Sequence, residues 1–215
     1  ETAIAAGLSN FQEMEVQDQV SNDRTIDVDE LGFDRVITNG ATGTKTLTLD
    51  KMADGGTVVL SGEAGATADT TQVNVANAGA TGENDNVLNV VADAPNDSSG
   101  GPRELGTLTV NDVETIAIDV NEAFDTSTPT DLDEVSQNLL VDADSVEEIT
   151  LEGSGQLNLD TASATNLTSV NGSAMDDTLS YTTDQAGMDV QGGSGADSLT
   201  AGTAGVTLNG GEGND

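Results

Sequence analysis

The chain has 215 residues, with 39 acidic against 5 basic side chains and a formal net charge of −34. Phosphate groups are bound by clustered Lys and Arg, so this charge excludes nucleic acid and anionic membrane surfaces as partners. Cysteine and histidine do not occur in the chain, which excludes a disulfide framework, a thiolate metal site and histidine-based catalysis.

Short segments with alternating apolar and polar residues predict β-strands in chain order. Their predicted inward residues are Leu47 and Leu49, Val73 and Val75, Leu108 and Val110, Ile116, Ile118 and Val120, Ile149 and Leu151, and Leu157 and Leu159. Turn formers such as DGG, NG and GSG separate the segments. The alternating segments predict an all-β fold. No apolar run is long enough to span a membrane, so we predict no membrane insertion.

Two stretches depart from the strand pattern. Residues 93–106 (DAPNDSSGGPRELG) are rich in Pro and Gly and predict a loop that separates two halves. TDLDEVSQNLL, which begins at Thr130, is the best candidate for a short helix. Aromatic residues are few, and Tyr181 is predicted to lie in the core.

Apolar residues recur at intervals near nine in the second half of the chain. The series comprises Leu140, Ile149, Leu157 or Leu159, Leu167, Val190, Leu199 and Leu208. A short fixed period is typical of stacked coils, each of which buries its apolar side against the next.

Two glycine-rich acidic turns have the spacing of one such coil. GGSGAD begins at Gly192 and GGEGND begins at Gly210, and we call the distance between these two starts the repeat interval. If one full turn of the coil spans the repeat interval, the two glycine turns lie above one another. Their carboxylates and backbone carbonyls then form an oxygen-only cage, which suits Ca²⁺. The predicted metal ligands are Gly193, Gly195, Asp197, Gly211, Gly213 and Asp215.

A weaker third copy, GSAMDDTLS, begins at Gly172, and its distance to Gly192 exceeds the repeat interval by two positions. It places Asp177 at the sixth position and predicts one ladder of Asp177, Asp197 and Asp215. On the opposite edge Met188 and Val206 stand where the aspartate belongs, so the ladder is predicted to be one-sided.

GGSGADSLT and GGEGND resemble the RTX (repeats-in-toxin) nonapeptide, which binds Ca²⁺ in a parallel β-roll. Stretches such as GTKTLTLDKMADGGTVVLSG and GTLTVNDVETIAIDV resemble, more loosely, the body of RTX-type surface-layer (S-layer) proteins of Gram-negative bacteria. The resemblance implies an irregular right-handed parallel β-helix or solenoid that ends in a calcium roll. The expected parts are a β-rich, solenoid-like part at residues 1–105, β-helix coils at residues 106–171, and the RTX calcium roll at residues 172–215. We also expect the chain to be a piece of a longer protein, because it ends inside a repeat.

The same resemblance implies a structural protein exported by type I secretion to the cell surface. Its implied partners are calcium ions, copies of itself in a lattice or filament, and a cell-surface polysaccharide bound through regions outside this chain. An RTX adhesin or biofilm-matrix protein, or the non-catalytic calcium roll of a secreted enzyme, is the alternative function.

Each signal has a plainer alternative. A glycine-rich acidic turn is often a solvated loop, and Asn84 and Asp85 fit a hairpin or loop as well as a calcium turn. Asp142, Asp144 and Asp160 fit calcium ligands or solvated turn formers. An enzyme is a rival class, since lyases with this fold pair Ca²⁺ with a basic residue and glycosidases need two carboxylates. The few basic and aromatic side chains favour a protein that is not an enzyme.

Overall fold

A computed structural model describes residues 12–17, 19–41, 43–64, 70–80, 85–96, 101–126, 133–161 and 163–215. Within them strands are the dominant regular structure, as the alternating patterns predict. The helix in the described part, α1 (Val28–Leu31), is a single turn that begins where Asp27 caps the Glu30 N–H and ends at Gly32, in the left-handed region at φ 75°. It is far too short to cross a membrane, and no helix in the described part is long and apolar enough to do so.

Two long sheets, built from parallel neighbours, account for most of the strands. In sheet order, the first sheet contains β1 (Glu13–Val16), β3 (Arg35–Thr38), β5 (Thr57–Leu60), β8 (Val87–Ala92), β10 (Thr115–Val120), β14 (Glu148–Gly153), β16 (Ser169–Met175), β18 (Asp189–Gln191) and β20 (Thr207–Asn209). The second sheet contains β2 (Arg24–Asp27), β4 (Leu47–Met52), β7 (Thr70–Val75), β9 (Arg103–Asn111), β13 (Gln137–Ala143), β15 (Leu157–Asp160), β17 (Leu179–Thr183) and β19 (Ser198–Ala201).

The chain alternates between the two sheets along most of its length, an arrangement compatible with a β-helix or solenoid. Short β6 (Glu63–Ala64) pairs antiparallel with β9. Two further short strands, β11 (Phe124–Asp125) and β12 (Asp133–Glu134), form a separate antiparallel pair. Every predicted inward residue of the alternating segments is buried, and together they belong to one apolar core with contributions from both sheets.

Layer lengths differ along the stack. In the last layers, Ser180 pairs with Ser198 and Asp189 pairs with Thr207, and both steps equal the repeat interval. One layer earlier, Asn171 pairs with Gln191, a step that is longer by two positions. Both spacings predicted from the glycine-rich copies are therefore confirmed for these layers.

Three expectations about local structure are wrong. The loop predicted for residues 93–106 ends earlier, because Arg103–Asn111 forms β9. The helix predicted from Thr130 does not form, since its described residues lie in β12, β13 and the link between them. Leu140 faces outward on β13, and the neighbouring Leu139 and Val141 are the buried residues.

Buried Arg103 joins the β11–β12 hairpin to the second sheet. Its guanidinium is fully buried and donates to the carbonyl oxygens of Phe124, at 2.9 Å, and Gly101, at 3.1 Å. Burying a charged group without hydrogen bonds is costly, and these carbonyls offset part of that cost. The contact with Phe124 fixes the hairpin beside the turns that connect the first sheet to the second.

Candidate metal centre

Turns that lead from the first sheet to the second form a continuous column at one edge. In each turn one N–H donates to a carbonyl of the layer before it. The pairs are Gly155 to Val120 (2.9 Å), Asp176 to Gly153 (2.8 Å), Ser194 to Met175 (3.0 Å) and Glu212 to Gly193 (2.9 Å). The repeated bond shows that these turns stack in the same orientation, layer on layer.

Glycine permits this close stacking. A Cβ atom on Gly193 would overlap the carbonyl oxygen of Met175, and one on Gly211 would overlap that of Gly193. Gly213 lies equally close to the carbonyl oxygen of Gly195, and its φ of 129° is outside the range that side chains readily allow. The run of glycines therefore serves close backbone approach between layers.

Gly193→Ala is expected to destabilise the chain by about 3 kcal/mol, because its methyl group would collide with backbone that cannot move independently. Ser194→Ala, one residue away and exposed, is the matched control and should change little. Urea unfolding of both variants measures the difference. Equal stabilities would contradict the stacking described above.

Asp197 is the buried carboxylate of the column, with 4% of its surface exposed. Its Oδ1 accepts the Leu179 N–H of the preceding layer at 2.7 Å, and its Oδ2 accepts the Gly193 N–H of its own turn at 2.8 Å. In the next layer Asp215 Oδ1 accepts the Asp197 N–H at 3.0 Å. Each of these two aspartate carboxylates therefore accepts a backbone N–H of the preceding layer.

The predicted ladder of three aspartates is wrong for Asp177. Because Ser180 pairs with Ser198, Leu179 rather than Asp177 lies beside Asp197. Asp177 lies beneath Gly195, and a Cβ atom added to Gly195 would collide with the Asp177 backbone. The two extra residues of this layer fall before the turn, so the third copy is shifted by two positions relative to the others.

The opposite edge carries apolar residues where the sequence predicts them. Met188 is buried and its sulfur accepts the Thr183 hydroxyl at 3.0 Å, while Val206 packs against the core. Asp184 lies at this edge, but one repeat interval further on the chain has Gly202, whose backbone lies against the Asp184 carboxylate. These two layers therefore do not stack one carboxylate on another at that edge.

Glu134, on the β11–β12 hairpin, is an acidic residue of this region that sequence reasoning missed. Burial raises the pKa of Glu134 to about 7, and a hydrogen bond with the Asp177 carboxyl and its charge add to the rise. Its Oε1 atom is buried and accepts no hydrogen bond in the described part of the chain. Glu134 is distant from Asp177 in sequence and lies outside the glycine-rich copies, so no repeat pattern points to it.

The turn at Gly153 and Gly155 was also missed as a member of the column. It stacks directly on residues Val120 and Asn121, although its sequence lacks an aspartate at the sixth place. The only available signal was the GSG sequence, which indicates a turn but not its place in a stack.

The residues of the last two turns fit a calcium ion by their chemistry. All available ligands are oxygens, which Ca²⁺ prefers, and the absence of a side chain at Gly192 and Gly210 leaves room for the carboxylates of Asp197 and Asp215. A carboxylate oxygen that accepts one N–H keeps a second lone pair that can face an ion. Across the described ranges no three acidic side chains gather into a cluster that could hold a metal ion.

The other acidic residues that the sequence offers as calcium ligands lie at exposed or outward-facing positions. Asp144 is exposed and its Oδ1 accepts the Asp112 N–H at 3.4 Å, as expected of a turn former. Asp142 lies on the outer face of β13, and Asp160 is exposed at the end of β15. Asp85 is exposed, and Asn84 lies outside the described residues.

No protein-family model, curated protein or solved structure matched the chain in comparisons with each.

Proposed function

We propose that the chain is a structural, extracellular protein of the RTX type that folds with calcium and assembles into a surface layer. In this proposal its parallel sheets form an irregular right-handed β-helix, residues 1–105 and 106–171 are its coils, and residues 172–215 are a calcium roll. The observation that carries the proposal is the stacking of two GGxGxD turns in adjacent layers, with a buried aspartate between them.

Charge supports a cation at this edge. No Lys, Arg or His occurs after Arg103, so the acidic residues of the later layers have no basic side chain within their own segment. The basic residues that precede Arg103 in the chain include Arg35, Lys45 and Lys51, which pair with carboxylates of that earlier part. Like charges at this density oppose a compact state unless ions from solution neutralise them.

The proposed ligands are Gly193, Gly195, Asp197, Gly211, Gly213 and Asp215. The protein's part is to hold these oxygens in place. Stacked turns fix the spacing of the carbonyls, and the N–H groups of Leu179 and Gly193 orient the Asp197 carboxylate. Bound calcium would supply the positive charge that the chain itself lacks there. An ion that binds only the folded state adds stability in proportion to the logarithm of its concentration.

A structural role, rather than a catalytic one, is supported by the absence of histidine and the small number of aromatic and basic side chains. Parallel sheets also present flat outer faces suited to repeated contacts between copies, and such heterologous contacts build filaments or sheets. Export by type I secretion belongs to the proposal, because a chain that needs millimolar calcium stays unfolded in the cytoplasm.

Self-assembly is tested by light scattering and negative-stain electron microscopy across a calcium series. We expect monomers in EGTA and extended sheets or filaments at millimolar calcium. Sodium chloride at matched ionic strength is the control, since screening alone should not join the copies. Folded monomers at every calcium concentration would contradict the lattice and favour an adhesin or the calcium roll of a secreted enzyme.

A further inference from the structure

A groove of about 680 Å³ lies on the outer face of the second sheet. It crosses the neighbouring strands β9, β13, β15 and β17, each of which has a strand of the same sheet on both sides. Ligand sites in proteins have volumes of about 300–1,000 Å³, so the groove has room for a short oligomer. The described residues that line it include none of the glycine turns.

A β-bulge shapes one side of the groove. Where β9 pairs with β13, Asn138 lies opposite Glu104 and Leu139 lies opposite Gly106, so Leu105 is an extra residue of β9. Leu105 is buried on the inner side. Gly106, at φ 81°, follows it and lines the groove with backbone alone. The bulge therefore leaves a recess in the outer face.

The turn that follows β17 forms the other side. In this turn the Gln185 N–H donates to the Thr183 hydroxyl at 3.1 Å, and the Gln185 side-chain amide donates to the Ala164 carbonyl. These two bonds hold the turn in place beside the groove.

Amide and carboxylate side chains form a hydrogen-bonded row across the floor. Asn138 lies in register between Glu104 and Asn158. Its Nδ2 donates to Glu104 Oε1 at 2.6 Å, and its Oδ1 accepts Asn158 Nδ2 at 2.7 Å. Ser180 continues the row on β17. Side chains that are already held in one orientation lose less freedom when a ligand binds.

A second row lies beside the first and contains Thr107, Leu140 and Asp160 in register. Leu140 is half-buried on the outer face, although the apolar period near nine favours it for the core. In the groove its side chain supplies an apolar surface between a hydroxyl and a carboxylate group.

The charge of the lining excludes an anionic ligand. Glu104, Asp160 and Asp184 contribute carboxylates, and the described residues that line the groove include no Lys or Arg, so an anion would be repelled. A cation is not favoured either, because in the described part of the chain these carboxylates do not converge with a third acidic group on one point.

A neutral, polyhydroxylated ligand fits the remaining chemistry. A purely apolar ligand would leave the amides and carboxylates of the floor without water or partners, which is costly. Hydroxyl groups can both donate to carboxylates and accept from amides, while the C–H face of a sugar ring can pack on Leu140.

We propose that this groove binds a neutral oligosaccharide. The carboxylates of Glu104 and Asp160 accept hydrogen bonds from sugar hydroxyls, and the hydroxyls of Thr107, Ser180 and Thr182 exchange hydrogen bonds with them. The described lining contains no aromatic ring, the side chain that would add the largest contact area, so we expect a dissociation constant of about 1 mM.

Saturation-transfer difference NMR on the whole chain tests the proposal, in calcium-containing buffer and with the fold verified by circular dichroism. The probes are neutral trisaccharides of glucose, galactose, mannose and N-acetylglucosamine, and trigalacturonic acid is the anionic counterpart. We expect a saturable signal from at least one neutral probe and a much weaker one from the anionic probe.

Asn158→Ala should raise the dissociation constant roughly three- to tenfold, because it removes one amide and releases Asn138 from the row. Asn74→Ala is the matched control. Asn74 is half-buried on the outer face of the same sheet and donates to Asp50 at 3.0 Å, but it does not line the groove, so its substitution should leave binding unchanged.

Thr182→Met provides a second variant that does not touch the row. Thr182 is exposed, and the longer side chain would occupy space in the groove without disturbing the core, so binding should weaken while the fold is kept. This variant keeps the test decisive if Asn158→Ala fails to fold.

The absence of a signal from every neutral probe would overturn the proposal. Binding that is equally strong in Thr182→Met and Asn74→Ala would overturn it too, since the sugar would then bind elsewhere, and so would a preference for the anionic probe. A chain that folds without calcium or does not assemble would count against the proposed function but would leave this result unaffected, because sugar binding is measured on the folded chain.

Discussion

Chelation of calcium with EGTA is expected to remove much of the β-sheet signal from the far-UV circular dichroism spectrum, at least the part that comes from residues 172–215. In these layers Asp197 is buried, and no Lys, Arg or His occurs anywhere after Arg103 to balance the acidic side chains. Without a cation, repulsion among carboxylates opposes closure of the layers. Millimolar calcium should restore the signal.

Magnesium at the same concentration is the matched control. Mg²⁺ requires near-octahedral geometry and releases its waters reluctantly, so a cage of carbonyls and carboxylates spaced by a β-stack should not bind it equally well. A spectrum that is identical in EGTA and in calcium would show that folding does not depend on the ion.

Asp197→Ala should cause the largest loss of calcium binding among single substitutions in the column. Asp197 lies between two layers and its two carboxylate oxygens accept the N–H groups of Leu179 and Gly193. Leaving both buried donors without an acceptor costs roughly 1–3 kcal/mol each, so stability should also fall. Isothermal titration measures the binding, and urea unfolding in EGTA measures the part that is independent of calcium.

Asp189→Ala is the control for Asp197→Ala. Asp189 is exposed at the start of β18, close to Asp197 in sequence, and lies outside the glycine turns. Its substitution removes the same charge from the chain without touching the column. Equal losses of calcium affinity in the two variants would mean that total charge, rather than this site, governs binding. Unchanged affinity in Asp197→Ala, with lower stability, would leave Asp197 as a structural acceptor only.

Alternation of apolar and polar residues was enough to predict most of the core. Where the alternation is clean, as at Leu47 and Leu49 or Ile116 and Ile118, the residues are buried as expected, because one face of each strand must leave water. Tyr181 is likewise buried, with its hydroxyl paired to Thr161.

Prediction failed where two patterns competed. The sequence QNLLVDA supports a strand with either Leu139 or Leu140 inside, and a shift of one residue exchanges the two faces. The apolar period near nine favours Leu140, but pairing with β9 and β15 places Leu139 inward. The same segment has spaced apolar residues that resemble a helix, and the neighbouring parallel strands override that local preference.

The part of the candidate site that follows the repeat spacing was predictable. The repeat interval correctly places the turn at Gly210 over the turn at Gly192. Spacing fails for Asp177, because the longer distance from Gly172 to Gly192 does not reveal on which side of the turn the two extra residues lie. Glu134 could not be predicted, since its contact with Asp177 depends on how a hairpin from another layer folds back.

Hydrogen exchange followed by mass spectrometry, on the whole chain with and without calcium, measures whether the layers of residues 172–215 close without the ion. We expect the amides of residues 172–215, including the Leu179 and Gly193 N–H groups that Asp197 accepts, to be protected in calcium and to exchange rapidly in EGTA. Equal protection of these amides in both buffers would contradict it, because the stack would then close without the ion.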